Sequence, residues 1–172
     1  ASIDKVKAAD VIVFAGGISP SLEGEEMPVN AEGFKGGDRT TIELPAIQRR
    51  LISELKKLGK PIIFVNYSGS AVGLEPESKI CDAILQAWYP GQAGGTAVAD
   101  VLFGDYNPSG KLPVTFYKHT DQLPDFQDYS MKGRTYRYMT ESPLYSFGHG
   151  LSYTNFTYGP ATLSQQTISQ GK

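Results

Sequence analysis

The sequence predicts an α/β fold: a single domain built as a three-layer α/β/α sandwich, with a mostly parallel sheet flanked by helices on both faces. Three observations predict it. Short apolar runs alternate along the chain with helix-length segments. Those runs are continuously apolar rather than alternating, as expected of strands covered on both sides. Glycine or proline closes most elements, so the punctuation agrees with the pattern. A chain of 172 residues is long enough to bury a core of this kind.

The elements follow in order. Ile3 to Asp10 reads as the end of a helix. Val11-Ile12-Val13-Phe14-Ala15-Gly16-Gly17 reads as the first strand. Residues 18–39 have no usable period and contain five carboxylates, so they are a long loop. Loops this long inside a compact domain are often functional. Pro45 suits the first position of a helix. Ile47, Leu51, Ile52, Leu55 and Leu58 then recur at helical spacing, with Arg49, Arg50, Lys56 and Lys57 mostly on the other side. Gly59 and Pro61 stop that helix. Ile62–Tyr67 is the second strand. A helical turn is expected near Pro76–Ile80. Ala83–Tyr89 is the third strand, broken by Pro90, and a second clear helix runs from about Gly94 to Leu102. Lys111–Phe116 reads as a fourth strand at an edge, because proline sits inside it. Residues 119–158 are aromatic, polar and irregular. The domain is expected to span 1–158, with 159–172 as a linker or disordered tail rich in Gln, Ser and Thr.

Composition excludes several classes of function. The net charge of −2 gives no broad basic face, so nucleic acid is not expected as a partner. No apolar run approaches the roughly 20 residues needed to cross a bilayer, so no membrane partner is expected. The single cysteine, Cys81, cannot form an internal disulfide, and its apolar surroundings predict a structural thiol. His119 and His149 have no partners at metal-ligand spacing, so no metal and no cofactor are expected. The turn Gly91-Gln92-Ala93-Gly94-Gly95 matches neither phosphate-binding glycine pattern and reads as a plain strand-to-helix turn. Asn155-Phe156-Thr157 is a formal glycosylation sequon of low specificity. Most of the late aromatics are expected to pack against the core or a neighbouring domain.

The carboxylate loop is the best candidate for chemistry. Glu23, Glu25, Glu26 and Glu32 crowd into it, and Asp38-Arg39 close it. Crowded carboxylates raise one another's pKa, which keeps an acid protonated near neutrality. Glycosidic bonds need such an acid on the leaving oxygen and a second carboxylate across the sugar. By chemistry alone, a solvated acidic loop or a calcium site remains open.

Three blocks carry a resemblance. Leu22-Glu23-Gly24-Glu25-Glu26, followed by Gly37-Asp38-Arg39 and Leu44-Pro45-Ala46-Ile47-Gln48, resembles the acid/base loop and following helix of family 3 glycoside hydrolases, the β-glucosidases and β-xylosidases. Trp88-Tyr89-Pro90-Gly91-Gln92-Ala93-Gly94-Gly95 and its continuation through Gly104 to Asn107-Pro108-Ser109-Gly110-Lys111-Leu112-Pro113 is the second block. Tyr145-Ser146-Phe147-Gly148-His149-Gly150-Leu151-Ser152-Tyr153-Thr154 is similar to the family's closing motif, with His149 where tyrosine is common. Order and spacing agree over about residues 8–158.

The resemblance implies a C-terminal α/β sandwich domain of a retaining, exo-acting β-xylosidase or β-glucosidase. Its expected partners are an N-terminal (β/α)₈ barrel, which carries the nucleophilic aspartate, and β-linked xylo- or gluco-saccharides. Glu25 falls on the general acid/base position as the second glutamate of an E-x-E pair, and Glu23 is the runner-up. Twelve residues, Glu26 to Gly37, separate Glu25 from Asp38, where the compact family form has two, so Glu26 and Glu32 stay open. Asp38 and Arg39 are expected to organise the loop. A periplasmic or secreted location is implied by the resemblance, as is the inactivity of these residues without the barrel. The alternative is a non-catalytic carbohydrate-binding or regulatory α/β module.

Overall fold

The computed structural model describes residues 3–24 and 27–171. The elements run α1 (Ile3–Lys7), β1 (Ile12–Gly17), β2 (Phe34–Lys35), β3 (Asp38–Arg39), α2 (Ala46–Lys56), β4 (Ile62–Tyr67), α3 (Glu75–Ile80), β5 (Ala83–Gln86), α4 (Gly94–Phe103) and α5 (Thr135–Tyr138), with a 3₁₀ turn at Thr120–Gln122. The main sheet has the order β1-β4-β5, and both pairings are parallel. Ile12 faces Ile62 and Gly17 faces Tyr67, while Ile63 faces Ala83 and Asn66 faces Gln86. The expected α/β fold with a mostly parallel sheet is present.

Even-numbered positions carry the core. Phe14, Phe64 and Ile84 cluster with Ile52 of α2, and Ile12 and Ile62 cluster with Leu55 one turn further on. The i, i+3 spacing of Ile52 and Leu55 puts both on the face that meets the sheet. Phe64 and Ile52 are fully buried; each contributes roughly 1.5–3 kcal/mol of transfer free energy. On the odd-numbered side Val65 is buried, while Val13 at the edge is half exposed. Arg49 ties α2 to α3. Its Nε lies 3.1 Å from Glu77 Oε1, and its Nη2 donates to the Gly73 carbonyl at 2.6 Å. Burial pushes the Glu77 carboxyl above its ordinary value, against the pull of Arg49.

Three sequence expectations change. Lys111–Phe116 forms no strand of the sheet. It returns against the closing segment instead, through the antiparallel bridge of Phe116 with Tyr145 and the bonds joining Leu112 to Gly148 and His149. Pro113 cannot donate to a ladder, which favours this broken pairing over a strand. The third strand ends at Gln86 rather than Tyr89, because Trp88 takes a left-handed conformation (φ 55°) that turns the chain away. The loop after β1 is not wholly irregular. Phe34–Lys35 and Asp38–Arg39 pair as an antiparallel ribbon around Gly36-Gly37, whose φ values of 63° and 90° close a tight turn that needs glycine.

Among the described residues no helix is long and apolar enough to cross a membrane. Residues 159–171 are exposed and contain no helix or strand. Cys81 touches both core clusters, and burial, then the nearby Glu77 charge, pushes its thiol up to about 11.

Candidate active site

Parallel sheets place their ligands at the carboxyl ends of the strands. Here β1 ends at Gly17, and the carboxylate loop leaves from that point. Gly17 has φ 122°, and a Cβ there would collide with the Tyr67 carbonyl. The N–H of Ile12 donates to Pro61 and that of Ile18 to Tyr67, so even-numbered amides face β4. Gly17 therefore turns its N–H and C=O to the free edge of β1. The Gln48 side chain meets both: its Oε1 accepts from Gly17 N at 2.8 Å, and its Nε2 donates to Gly17 O at 2.7 Å. One amide of α2 thus stands in for a missing strand and fixes the direction in which the loop departs.

A second fixed point lies six residues on. Glu23 Oε1 accepts a hydrogen bond from Ser70 Oγ at 2.6 Å, and its Oε2 accepts one from the Tyr89 hydroxyl at 2.6 Å. Arg39 Nη1 stands 3.6 Å from Oε1; the two side chains are only 14% and 16% exposed. The Tyr89 hydroxyl also lies 2.9 Å from the Ile18 carbonyl, so its one proton serves two acceptors. Burial first, then the hydrogen bond and charge of Glu23, push the Tyr89 phenol up to about 12. Arg39 donates from Nη1 to Ser70 Oγ and the Ala71 carbonyl, each at 2.9 Å, and from Nε to the Thr41 carbonyl. Burial lowers its pKa, while the charges of Glu23 and Glu43 oppose that shift.

Ser70 is held from behind. Asn66, wholly buried at the end of β4, donates to Gln86 at 2.6 Å and to Ser68 at 3.2 Å, and Ser68 donates to the Ser70 carbonyl at 2.9 Å. A cleft of ≈ 450 Å³ opens beside these groups, between Phe14, Gly17, Pro20, Gln48, Tyr67 and Tyr89. A second, of ≈ 480 Å³, is lined by Phe34, Arg39, Glu43, Arg49 and Thr120. There Glu43 accepts from the Thr120 N–H and hydroxyl at 2.8 and 2.6 Å.

The structure brings together two of the sequence-predicted residues, Glu23 and Arg39. Glu25 and Glu26 lie outside the described residues. Asp38 sits exposed in β3, bonded through the ladder to Lys35, and its side chain makes no hydrogen bond among the described residues. Glu32 borders the second cleft and is exposed. Sequence reasoning missed Tyr89, Ser70 and Gln48. The first two follow strands at their carboxyl ends, which was one available signal; Gln48 and Tyr89 also lie inside the resembling blocks Leu44–Gln48 and Trp88–Gly95, although no role was read for either. Among the described residues, no group of three or more His, Cys, Asp or Glu could hold a metal ion.

The model for the glycosyl hydrolase family 3 C-terminal domain matches residues 1–153. A xylan 1,4-β-xylosidase of Xylanibacter ruminicola is 64% identical over 166 residues, covering 96% of this chain and 19% of that protein. A periplasmic β-glucosidase of Salmonella typhimurium is 41% identical, covering 98% of this chain and 22% of that protein. Among solved structures, a β-glucosidase from Erythrobacter marinus superposes with a TM-score of 0.75 at 42% identity, over 91% of this chain and 21% of the other. A family 3 exo-β-xylosidase bound to a xylobiose aziridine probe superposes with a TM-score of 0.73 at 33% identity, over 89% of this chain and 20% of the other. The chain thus spans about a fifth of the length of the relatives it matches.

Proposed function

The chain belongs to glycosyl hydrolase family 3, whose C-terminal domain it represents, and from that premise we propose that it supplies the general acid/base carboxylate of a retaining, exo-acting β-glycosidase. The observation that carries the proposal is the pinned loop. Gln48 fixes its root, and Tyr89, Ser70 and Arg39 fix Glu23, at the end of the sheet where ligands bind. A loop held at two points can present a carboxylate with the placement that proton transfer demands.

In this reading Glu25 protonates the departing glycosidic oxygen and later deprotonates the attacking water. The nucleophile is an aspartate on an N-terminal barrel. Retention places the two carboxyl groups about 5 Å apart, so the loop must reach across to that barrel. The sugar is β-linked xylose or glucose, a choice supported by the names of the relatives. A location outside the cytoplasm is supported by the relative named as periplasmic.

The test compares the 172-residue chain with the full-length polypeptide on p-nitrophenyl β-xyloside and β-glucoside. The chain alone should be inert, and the full-length protein active. Glu25→Gln should depress turnover, with activity restored by azide, which attacks the glycosyl-enzyme without needing a base. Turnover by the isolated chain would refute the reading. Binding of xylo- or gluco-oligosaccharides by the chain alone would favour a carbohydrate-binding module instead.

A further inference from the structure

We propose that Glu23 is a positioning residue rather than the proton donor: its carboxylate is the latch that holds the catalytic loop to the sheet, with Tyr89, Ser70 and Arg39 as the catch. The inference rests on the acid/base reading of the loop and assigns the roles within it. Both Glu23 oxygens are already engaged by hydroxyl donors at 2.6 Å, and the Arg39 guanidinium lies alongside. A general acid must instead turn an oxygen toward the glycosidic oxygen at hydrogen-bond distance. Swinging Glu23 out to do so would strip Ser70 and Tyr89 of their shared acceptor and leave the Arg39 charge, in its mostly covered site, without its ion-pair partner at 3.6 Å.

The catch is itself braced, as a latch requires. Tyr89 follows Trp88, whose φ of 55° is strained for a bulky aromatic. The Trp88 ring is seated edge-on against fully buried Phe116, 6.1 Å between centroids. That turn aims the phenol back at Ile18 and Glu23. Gly69 leaves room for it: a Cβ there would lie 2.5 Å from the Tyr89 ring and 3.1 Å from Glu23 Oε2. Ser70 rests on a network of buried Asn66 and Ser68 with half-buried Gln86. Arg39 closes the circuit from β3 at the far end of the loop, so the latch joins both ends of the loop to β4 and the segment after β5. Glu23 stands two residues before Glu25, and displacing it displaces whatever the loop presents.

The experiment uses the full-length polypeptide carrying Glu23→Gln, Tyr89→Phe, their combination, Ser70→Ala and Ser70→Thr. Each is assayed on an activated aryl glycoside and an unactivated disaccharide, with and without azide. A latch predicts that Glu23→Gln and Tyr89→Phe each lower kcat by about 10–100-fold, the scale of a misplaced catalytic group. The loss should be similar for both leaving groups and untouched by azide. The double variant should lose no more than the worse single, because both remove one contact, and Ser70→Thr should retain activity that Ser70→Ala loses. The proposal is overturned if Glu23→Gln spares the activated glycoside, loses the disaccharide and forms glycosyl azide; Glu23 would then be the acid/base itself, with the loop's role intact. It is equally overturned if Tyr89→Phe and Glu23→Gln leave kcat unchanged. The glutamine variants of Glu25, Glu26 and Glu32 are assayed alongside; if azide rescues none of these and not Glu23→Gln, the acid/base reading itself falls.

Discussion

Replacing Gln48 with leucine tests whether one side-chain amide really substitutes for a strand. The change keeps volume and removes both polar atoms. Gly17 then loses an acceptor for its N–H and a donor for its C=O, bonds of 2.8 and 2.7 Å. Each such bond contributes about 0.5–1.5 kcal/mol net. Gly17 is only partly buried, so water recovers some of the loss, and about 1.5 kcal/mol is expected. For a chain of this length that corresponds to a fall in Tm of about 3–6 °C. Gln48→Glu sharpens the test. At neutral pH its carboxylate still accepts from Gly17 N–H but sets an anionic oxygen against the Gly17 carbonyl. Protonated, it donates there as glutamine does. The folded state therefore favours the protonated form, and the lost stability should return as pH falls toward ~4. Thermal melts followed by circular dichroism at both pH values measure this. A leucine variant within 1 °C of the parent, or a glutamate variant whose deficit ignores pH, would refute the clamp.

Two further perturbations probe the scaffold. With its thiol pushed up to about 11, Cys81 should react with DTNB at pH 8 roughly 100-fold more slowly in the native protein than in urea; equal rates would contradict the burial. Burial alone would raise the Glu43 carboxyl, but two hydrogen bonds from Thr120, with smaller help from its own backbone N–H and the Arg49 charge, hold the group below its ordinary 4.5. A depressed carboxyl stabilises the fold above its unfolded pKa and loses that contribution as pH falls through its folded value. Thr120→Val should therefore lower Tm by about 2–4 °C at pH 7, for a partly exposed contact worth about 1 kcal/mol. The difference should shrink in acid below the ordinary carboxyl range. A gap that persists unchanged in acid would count against the Glu43 clamp.

The fold was legible where local signals and burial agree. Continuous apolar runs located the three strands, and the spacing of Ile52 and Leu55 located the face of α2. Legibility failed where a long-range partner decides the outcome. Lys111–Phe116 has the composition of a strand, yet its neighbour is the closing segment rather than the sheet. The ribbon around Gly36-Gly37 is only two residues on each side, too short for periodicity to register.

The sequence by itself determined the family, the parallel α/β core and the loop that carries the carboxylates, because these are written in contiguous motifs and in apolar periodicity. Only the tertiary structure decided what each charged residue in that loop touches. Glu23 and Arg39 are 16 residues apart, and Ser70 and Tyr89 follow two other strands, β4 and β5. Hydrogen bonds act over about 3 Å, and such proximity across the chain exists only once the sheet has gathered its carboxyl ends at one edge.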